Sequence, residues 1–191
     1  ISQEGVCIVQ LYLSGGQDLG ERGVRFLDTE DGTQTDLAEW YDSPYREQYH
    51  FAPFMNWVND PNGLCWFKGY YHLFYQYNPN GQEWGNMHWG HAVSKDLLHW
   101  VHQPVAAYPQ IELNGCEGEY RGGAFSGSAV IEKDVMHLFY TRHFGKTDRS
   151  WQRQWQVTKA RTAFILLMKN VLCGEHQKVL PGISGILRLF R

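Results

Sequence analysis

The sequence predicts an all-β chain assembled from repeated four-stranded units, the arrangement of a β-propeller blade. Short runs rich in Tyr, Phe and Val alternate with turn residues from Leu64 to Lys159. The tetrad His72-Leu73-Phe74-Tyr75 returns as His137-Leu138-Phe139-Tyr140, each time after a turn that begins with lysine. All 8 tryptophans lie between Trp40 and Trp155, so the aromatic enrichment, 15% of the chain, falls where the strands are.

The chain of 191 residues has room for one domain or two small ones. Residues 1–40 carry weak signals and are assigned as a leader or linker of unknown role. Val6 to Leu13 suits one strand, and Gly15-Gly16 and Asp28 to Asp36 suit loops. Residues 41–63 lead in, with Pro44 to Phe51 aromatic and extended. Leu64 to Phe67 and Tyr70 to Asn78 flank Lys68-Gly69 and read as a β-hairpin. Alternation places Tyr71, Leu73, Tyr75 and Tyr77 on one face, and Tyr70, His72, Phe74 and Gln76 on the other. Pro79 has no N–H for a ladder, so the strand stops there.

His88 to Ser94, a turn at Lys95-Asp96, and Leu97 to Val101 supply two more strands. Residues 104–123, broken by Pro104, Pro109, Gly115, Gly118 and Gly122-Gly123, read as a long irregular segment. Ala124 to Glu132 and Val135 to Thr141 flank a turn at Lys133-Asp134, and Trp151 to Lys159 alternates again. Residues 41–160 thus form the strand-bearing part. From Thr162 the chain holds no Trp, Tyr or Asp, and Ala163 to Met168 is an unbroken apolar run. Residues 161–191 are read as a foreign or frameshifted tail, the alternative being a helix that caps the sheet.

A net charge of −3 gives no reason to expect a nucleic-acid partner. The 4 cysteines are scattered without a Cys-x-x-Cys, so neither a zinc site nor a disulfide framework is indicated. No apolar run approaches the ~20 residues of a membrane span, so no membrane partner is expected. No signal peptide is visible, and localisation and oligomeric state stay unread. His88 and His91, three apart in a strand, fall on opposite faces and make a poor metal pair. Ala124 stands where a Gly-x-Ser-x-Gly elbow around Ser126 would need glycine, and no phosphate-cradling loop appears.

The chemistry gathers around Asn56-Trp57-Val58-Asn59-Asp60-Pro61-Asn62-Gly63. Taken alone, Asp60-Pro61-Asn62-Gly63 reads as a turn. Downstream, aromatic, amide and hydroxyl groups keep recurring among short strands, as a sugar-binding cleft requires. Glycosidic cleavage with retention needs a carboxylate nucleophile and a second carboxyl group about 5 Å away as acid and then base. Asp60, aimed from a bend, is the nucleophile candidate. Asn59 and Gln76 carry amides for sugar hydroxyls, and Trp57 and Trp84 each offer an apolar face with one N–H. Ser126 offers a hydroxyl and Phe125 a wall. Any one of these aromatics taken singly fits ordinary core packing as well.

Trp57-Val58-Asn59-Asp60-Pro61-Asn62-Gly63 closely resembles the Trp-Met-Asn-Asp-Pro-Asn-Gly signature of glycoside hydrolase family 32, with Val58 in place of Met. Tyr75-Gln76-Tyr77-Asn78-Pro79, Trp84-Gly85, His88-Trp89-Gly90-His91 and Phe125-Ser126-Gly127-Ser128 match further motifs of that family in order. The resemblance runs from about Tyr45 to Lys159. It implies a five-bladed β-propeller, of which ~40–50 residues per blade leave about the first two blades here. It implies a β-fructofuranosidase acting on sucrose or fructans, with no metal and no organic cofactor. Asp60 takes the nucleophile position, and Trp57, Asn59, Gln76, Trp84, Phe125 and Ser126 take substrate-binding positions. The family's Arg-Asp-Pro motif and the Glu-Cys motif with the acid/base glutamate are both missing, since neither Arg-Asp nor Glu-Cys occurs in the chain. The resemblance therefore implies a fragment with little or no turnover. The alternatives are a fructan-binding fragment without catalysis and a gene remnant that does not fold.

Overall fold

The computed structural model describes residues 11–13, 19–27, 41–85, 87–109, 120–146, 151–160 and 171–173. Two four-stranded antiparallel sheets dominate them. The first runs β3 (Trp57–Phe67), β4 (Tyr70–Asn78), β5 (His88–Ser94) and β6 (Trp100–Ala107), each strand beside the next in sequence. The second runs β7 (Tyr120–Glu132), β8 (Val135–Lys146), β9 (Trp151–Ala160) and β10 (Val171–Cys173) in the same up-and-down manner. A small antiparallel ribbon, β1 (Leu11–Leu13) with β2 (Arg25–Leu27), carries a one-turn helix α1 (Leu19–Arg22) between its strands. The all-β class holds, and the two sheets are the repeated four-stranded units that the tetrad echo predicts. Among the described residues no helix is long and apolar enough to cross a membrane.

Local chemistry explains the hairpins. Lys68 and Gly69 have φ of 51° and 85°, and Lys133 and Asp134 have 47° and 61°. Positive φ at both central residues is what a two-residue hairpin turn needs to match strand twist, and Gly and Asp tolerate it. The turns of the two sheets lie side by side, where the Lys68 ammonium pairs with the Asp134 carboxylate. Both groups are exposed, so this pair aligns the turns more than it stabilises them.

Both faces of β4 are buried, each in a different cluster, with alternate residues going to opposite sides. Phe74 joins Phe67, Trp89 and Ala107 of its own sheet with Ala124, Met136, Leu138 and Tyr140 of the second in one buried cluster. Leu73, Tyr75 and Tyr77 point the other way and pack with Ala92 against Phe51, Trp100 and Val105. The lead-in segment thus covers the outer face of the first sheet. Below it, Leu19, Val24 and Phe26 pack on Phe54 and Met55. The Gln103 amide donates to the Leu19 carbonyl at 2.8 Å, and the Val24 N–H donates to the His102 carbonyl at 2.9 Å. Part of the stretch read as a leader is therefore bonded to the edge strand β6.

Several boundaries differ from the sequence expectation. Asp60-Pro61-Asn62-Gly63 is no turn. It lies inside β3, which begins at Trp57 rather than Leu64 and absorbs the irregularity in two register shifts. Leu97–His99 is not strand, because Asp96 and Ser94 capture its backbone. Ser94 Oγ accepts from Leu97 N at 2.8 Å, and Asp96 Oδ1 accepts from Leu98 N at 2.9 Å and His99 N at 2.8 Å. The segment expected to be irregular shrinks from both ends, because β6 runs to Ala107 and β7 starts at Tyr120. Pro104 sits within β6 because that strand is an edge, where a missing N–H costs no ladder bond. Strand β8 runs past Thr141 to Lys146. The stretch Pro44 to Phe51, expected to be extended, is largely turn and bend. Of the strand expected from Val6 to Leu13, Leu11–Leu13 is strand and the rest lies outside the described residues, as do the loop at Asp28 to Asp36 and the apolar run Ala163 to Met168. Val171–Cys173, in the segment set apart by composition, pairs with β9.

The two sheets are joined through main chain. Met87 N–H donates to Gly122 O at 3.1 Å, and Ala124 N–H donates to Met87 O at 2.8 Å, around a parallel bridge between Met87 and Gly123. Gly123 has φ of 126°, and a Cβ there would run into the Met87 backbone. Gly123→Ala is expected to cost about 1–3 kcal/mol through forced separation of the strands, read as a lower urea midpoint with an unchanged slope.

Three buried histidines are held neutral. Burial pulls His72 down to about 4 and His102 down to about 4, and it takes His91 well below its ordinary 6.5. His72 Nε2 donates to Phe67 O at 3.1 Å, so its Nδ1 accepts from His91 Nε2 at 3.0 Å. The unfolded chain takes up these protons near pH 6.5, whereas folded His72 and His102 do so only near pH 4 and folded His91 well below 6.5. Stability should therefore fall as pH drops through that window, by about 1.4 kcal/mol per pH unit for each such histidine. Thermal unfolding measured from pH 7.5 to 4.5 checks this, and His102→Phe should flatten the slope.

Candidate active site

Two bulges bring the site together. Between the pairs Val58–Tyr77 and Pro61–Tyr75, β3 has Asn59 and Asp60 where β4 has only Gln76. Between Phe125–Thr141 and Gly127–Tyr140, β7 has Ser126 where β8 has nothing. An extra residue leaves the ladder and re-aims its side chain. Here both extra residues turn toward each other across the sheet-to-sheet junction. Ser126 Oγ donates to Asp60 Oδ2 at 2.6 Å, and both residues are exposed.

The Asp60 carboxylate has a second donor. Trp57 Nε1 donates to Asn59 Oδ1 at 2.7 Å, which fixes the orientation of that amide. Its nitrogen then faces Asp60 Oδ1 at 3.4 Å. The Ser126 hydrogen bond, followed by that of Asn59, holds the Asp60 carboxyl below its usual range. Hydrogen bonds to the charged form produce that direction. Asp60 is therefore an ionised, open carboxylate at neutral pH, with Oδ2 engaged at short range and Oδ1 carrying only a long contact.

Trp84 and Phe125 meet edge to face with centroids 5.8 Å apart, and Trp84 is 39% exposed. They form an aromatic wall beside Ser126. His143 stacks flat on Phe125 at 4.3 Å and holds its ring. The Gln76 amide nitrogen is engaged within the protein. Gln76 is buried, and its Nε2 donates to Ala124 O at 2.9 Å, so that nitrogen ties β4 to β7 next to Phe125. Trp89 Nε1 adds a parallel bond to Phe125 O at 3.0 Å. His88 and His91 take opposite faces of β5, paired with Tyr77 and Phe74 respectively. Among the described residues no cluster of His, Cys, Asp and Glu suits a metal ion.

Sequence reasoning missed Asn62, His143 and Trp89 as parts of this assembly. The part played by Asn62 depends on the pairing of β3 with β4, and the other two required the second sheet to be placed. The structure draws Trp57, Asn59, Asp60 and Ser126 into one hydrogen-bonded chain, sets Trp84 on Phe125 beside it, and puts Gln76 behind it.

Residues 50–178 match the family model described as the glycosyl hydrolases family 32 N-terminal domain. The chain belongs to glycoside hydrolase family 32. It is 54% identical over 104 residues to a levanase of Bacillus subtilis, an alignment that covers 54% of this chain and 14% of the levanase. It is 47% identical over 107 residues to a sucrose-6-phosphate hydrolase of Escherichia coli, covering 56% of this chain and 21% of that protein. A family 32 structure from Bifidobacterium adolescentis superposes with a TM-score of 0.77 at 38% identity, over 86% of this chain and 29% of that one. A family 32 β-fructofuranosidase of Bombyx mori gives 0.58 at 32% identity, over 76% of this chain and 31% of that one. The chain thus spans less than a third of each of these family 32 relatives. In this family 32 chain Ser126→Ala should raise the Asp60 carboxyl titration toward the ordinary carboxylate range. Carbon NMR of labelled aspartate over pH 2–6 would detect it, and an unmoved titration would remove Ser126 as the main cause of the depression.

Proposed function

We propose that this chain carries the nucleophile half of a retaining β-fructofuranosidase site for sucrose or fructans. The observation that supports it most directly is Asp60 on its bulge, open to solvent and kept ionised by the Ser126 hydroxyl. In this reading Asp60 Oδ1 attacks the anomeric carbon of a fructosyl unit, and the bond from that carbon to the bridging oxygen breaks. The electron pair leaves with that oxygen, which needs a proton. Trp84 and Phe125 wall the ring, and Asn59 keeps one amide hydrogen for a sugar hydroxyl. Similar proteins include a levanase, an exo-inulinase and a sucrose-6-phosphate hydrolase, and a fructosyl unit is what such substrates share.

Protonation of the leaving oxygen is the other half of the reaction. The partners the structure gives Asp60 are a hydroxyl and an amide, and Glu-Cys does not occur in the chain. General acid assistance is typically worth ~10²–10⁴-fold, so sucrose turnover should be reduced by about that factor. A fluoride leaving group needs no such proton. Incubation with β-fructofuranosyl fluoride should add one fructosyl group to the peptide that contains Asp60, detected by mass spectrometry, and Asp60→Asn should abolish the adduct. Sucrose hydrolysis that survives Asp60→Asn, or an unlabelled Asp60, would defeat the proposal. The partly exposed Trp84 ring on Phe125 also suits a second reading, a fructan-binding fragment without chemistry. Calorimetric binding of fructan together with no labelling by the fluoride would select it.

A further inference from the structure

Asn62 lies between the two bulges of β3, and only 4% of it is exposed. Its carboxamide is engaged at both ends. Nδ2 donates to the main-chain oxygen of Asp60 at 3.3 Å, and the Gly127 N–H donates to Oδ1 at 3.1 Å. Asp60 belongs to the first β3 bulge, and Gly127 directly follows the bulged Ser126 of β7. One planar amide therefore joins the backbones of the two irregularities whose side chains meet in the 2.6 Å bond. Its donor and acceptor have a fixed separation, which fixes how far apart the two bulges stand. Neither bulge is held by a regular ladder at that point. Asp60 and Ser126 are exposed, so packing does not place them either.

From this juxtaposition we propose that Asn62 is a positioning residue, which sets the spacing of the Asp60 and Ser126 bulges and thereby holds the Ser126 hydroxyl on the Asp60 carboxylate. Asn62 acts through Asp60 and touches no reacting atom. Its catalytic consequence rests on the reading of Asp60 as nucleophile, while its geometric consequence can be measured without any substrate.

The test is Asn62→Ala in the full chain. The carboxyl titration of Asp60 should move upward, and labelling of Asp60 by β-fructofuranosyl fluoride should slow about 10–100-fold, as expected for a misplaced reacting group. Added to Ser126→Ala, the same substitution should change neither quantity further, because the bond it acts through is already gone. A lower Tm with an unmoved Asp60 titration would make Asn62 a packing residue and overturn the proposal. So would full additivity with Ser126→Ala. Should Asn62→Ala fail to fold, the wild-type chain decides: the Gly127 amide must be protected from hydrogen exchange, and an unprotected one overturns the proposal. Failure to label Asp60 in the wild-type chain would count against the nucleophile reading instead, and the titration would still decide the part played by Asn62.

Discussion

The placement of the site depends on one strip of main chain, Met87 between Gly122 and Ala124. Met87 gives its N–H to one side of Gly123 and takes an N–H from the other, so β7 is tied to the loop entering β5 before any side chain is considered. Gln76 and Trp89 then bond the carbonyls of Ala124 and Phe125. The residues of β7 from Gly122 to Phe125 are thus bonded to the first sheet, and Ser126 is the next residue. These bonds bring Ser126 to the junction of the sheets, where its hydroxyl meets Asp60. The net gain per bond is only about 1 kcal/mol, but each would cost about 1–3 kcal/mol if left unmade in a buried place. Such bonds choose one docking of the sheets over its near neighbours more than they add to stability.

Beneath this strip the apolar cluster supplies the cohesion. Phe67, Phe74 and Trp89 from one sheet meet Met136, Leu138 and Tyr140 from the other with almost no exposure. Burial of side chains of this size is worth roughly 1.5–3 kcal/mol each. The site residues lie outside that cluster. Asp60 and Ser126 are exposed on bulges, where the ladder is interrupted and packing is absent. Cohesion and chemistry therefore rest on different residues, and the main-chain strip ties the strand that carries Ser126 to the first sheet.

How much of this was legible follows from which signals are local. Strands β4 and β5 were read to the residue, because period-two alternation ends at Pro79 in one case and at the Ser94–Asp96 bend in the other. The hairpin turns at Lys68-Gly69 and Lys133-Asp134 were read from composition alone. Asp60-Pro61-Asn62-Gly63 misled, because the residues that favour turns also favour bulges, and only pairing with β4 distinguishes the two. Leu97–His99 misled because a strand-like run lost its backbone groups to Asp96. Asp60, Ser126 and the aromatic wall were legible as residue types. Their convergence was not, since it is produced by bulges in two different sheets. The burial of Gln76 was likewise invisible, because its partner is a main-chain oxygen 48 positions away.

The donors around Asp60 share a property that bears on what the carboxylate can do. A lysine or arginine would also favour its ionised form, but it would pair with the oxygens and compete with any electrophile for them. The structure uses neutral groups instead. Ser126 and Asn59 donate to the carboxylate, and Trp57 orients Asn59 without approaching the acid. Asn62 reaches only the backbone of Asp60. The charge is stabilised without being neutralised, and Oδ1 keeps a long contact that an incoming carbon could displace at small cost. That combination, ionised yet uncovered, suits a nucleophile better than a structural acid. A structural acid at this junction would gain more from a cation and from burial, and among the described residues Asp60 is exposed with only neutral donors on it.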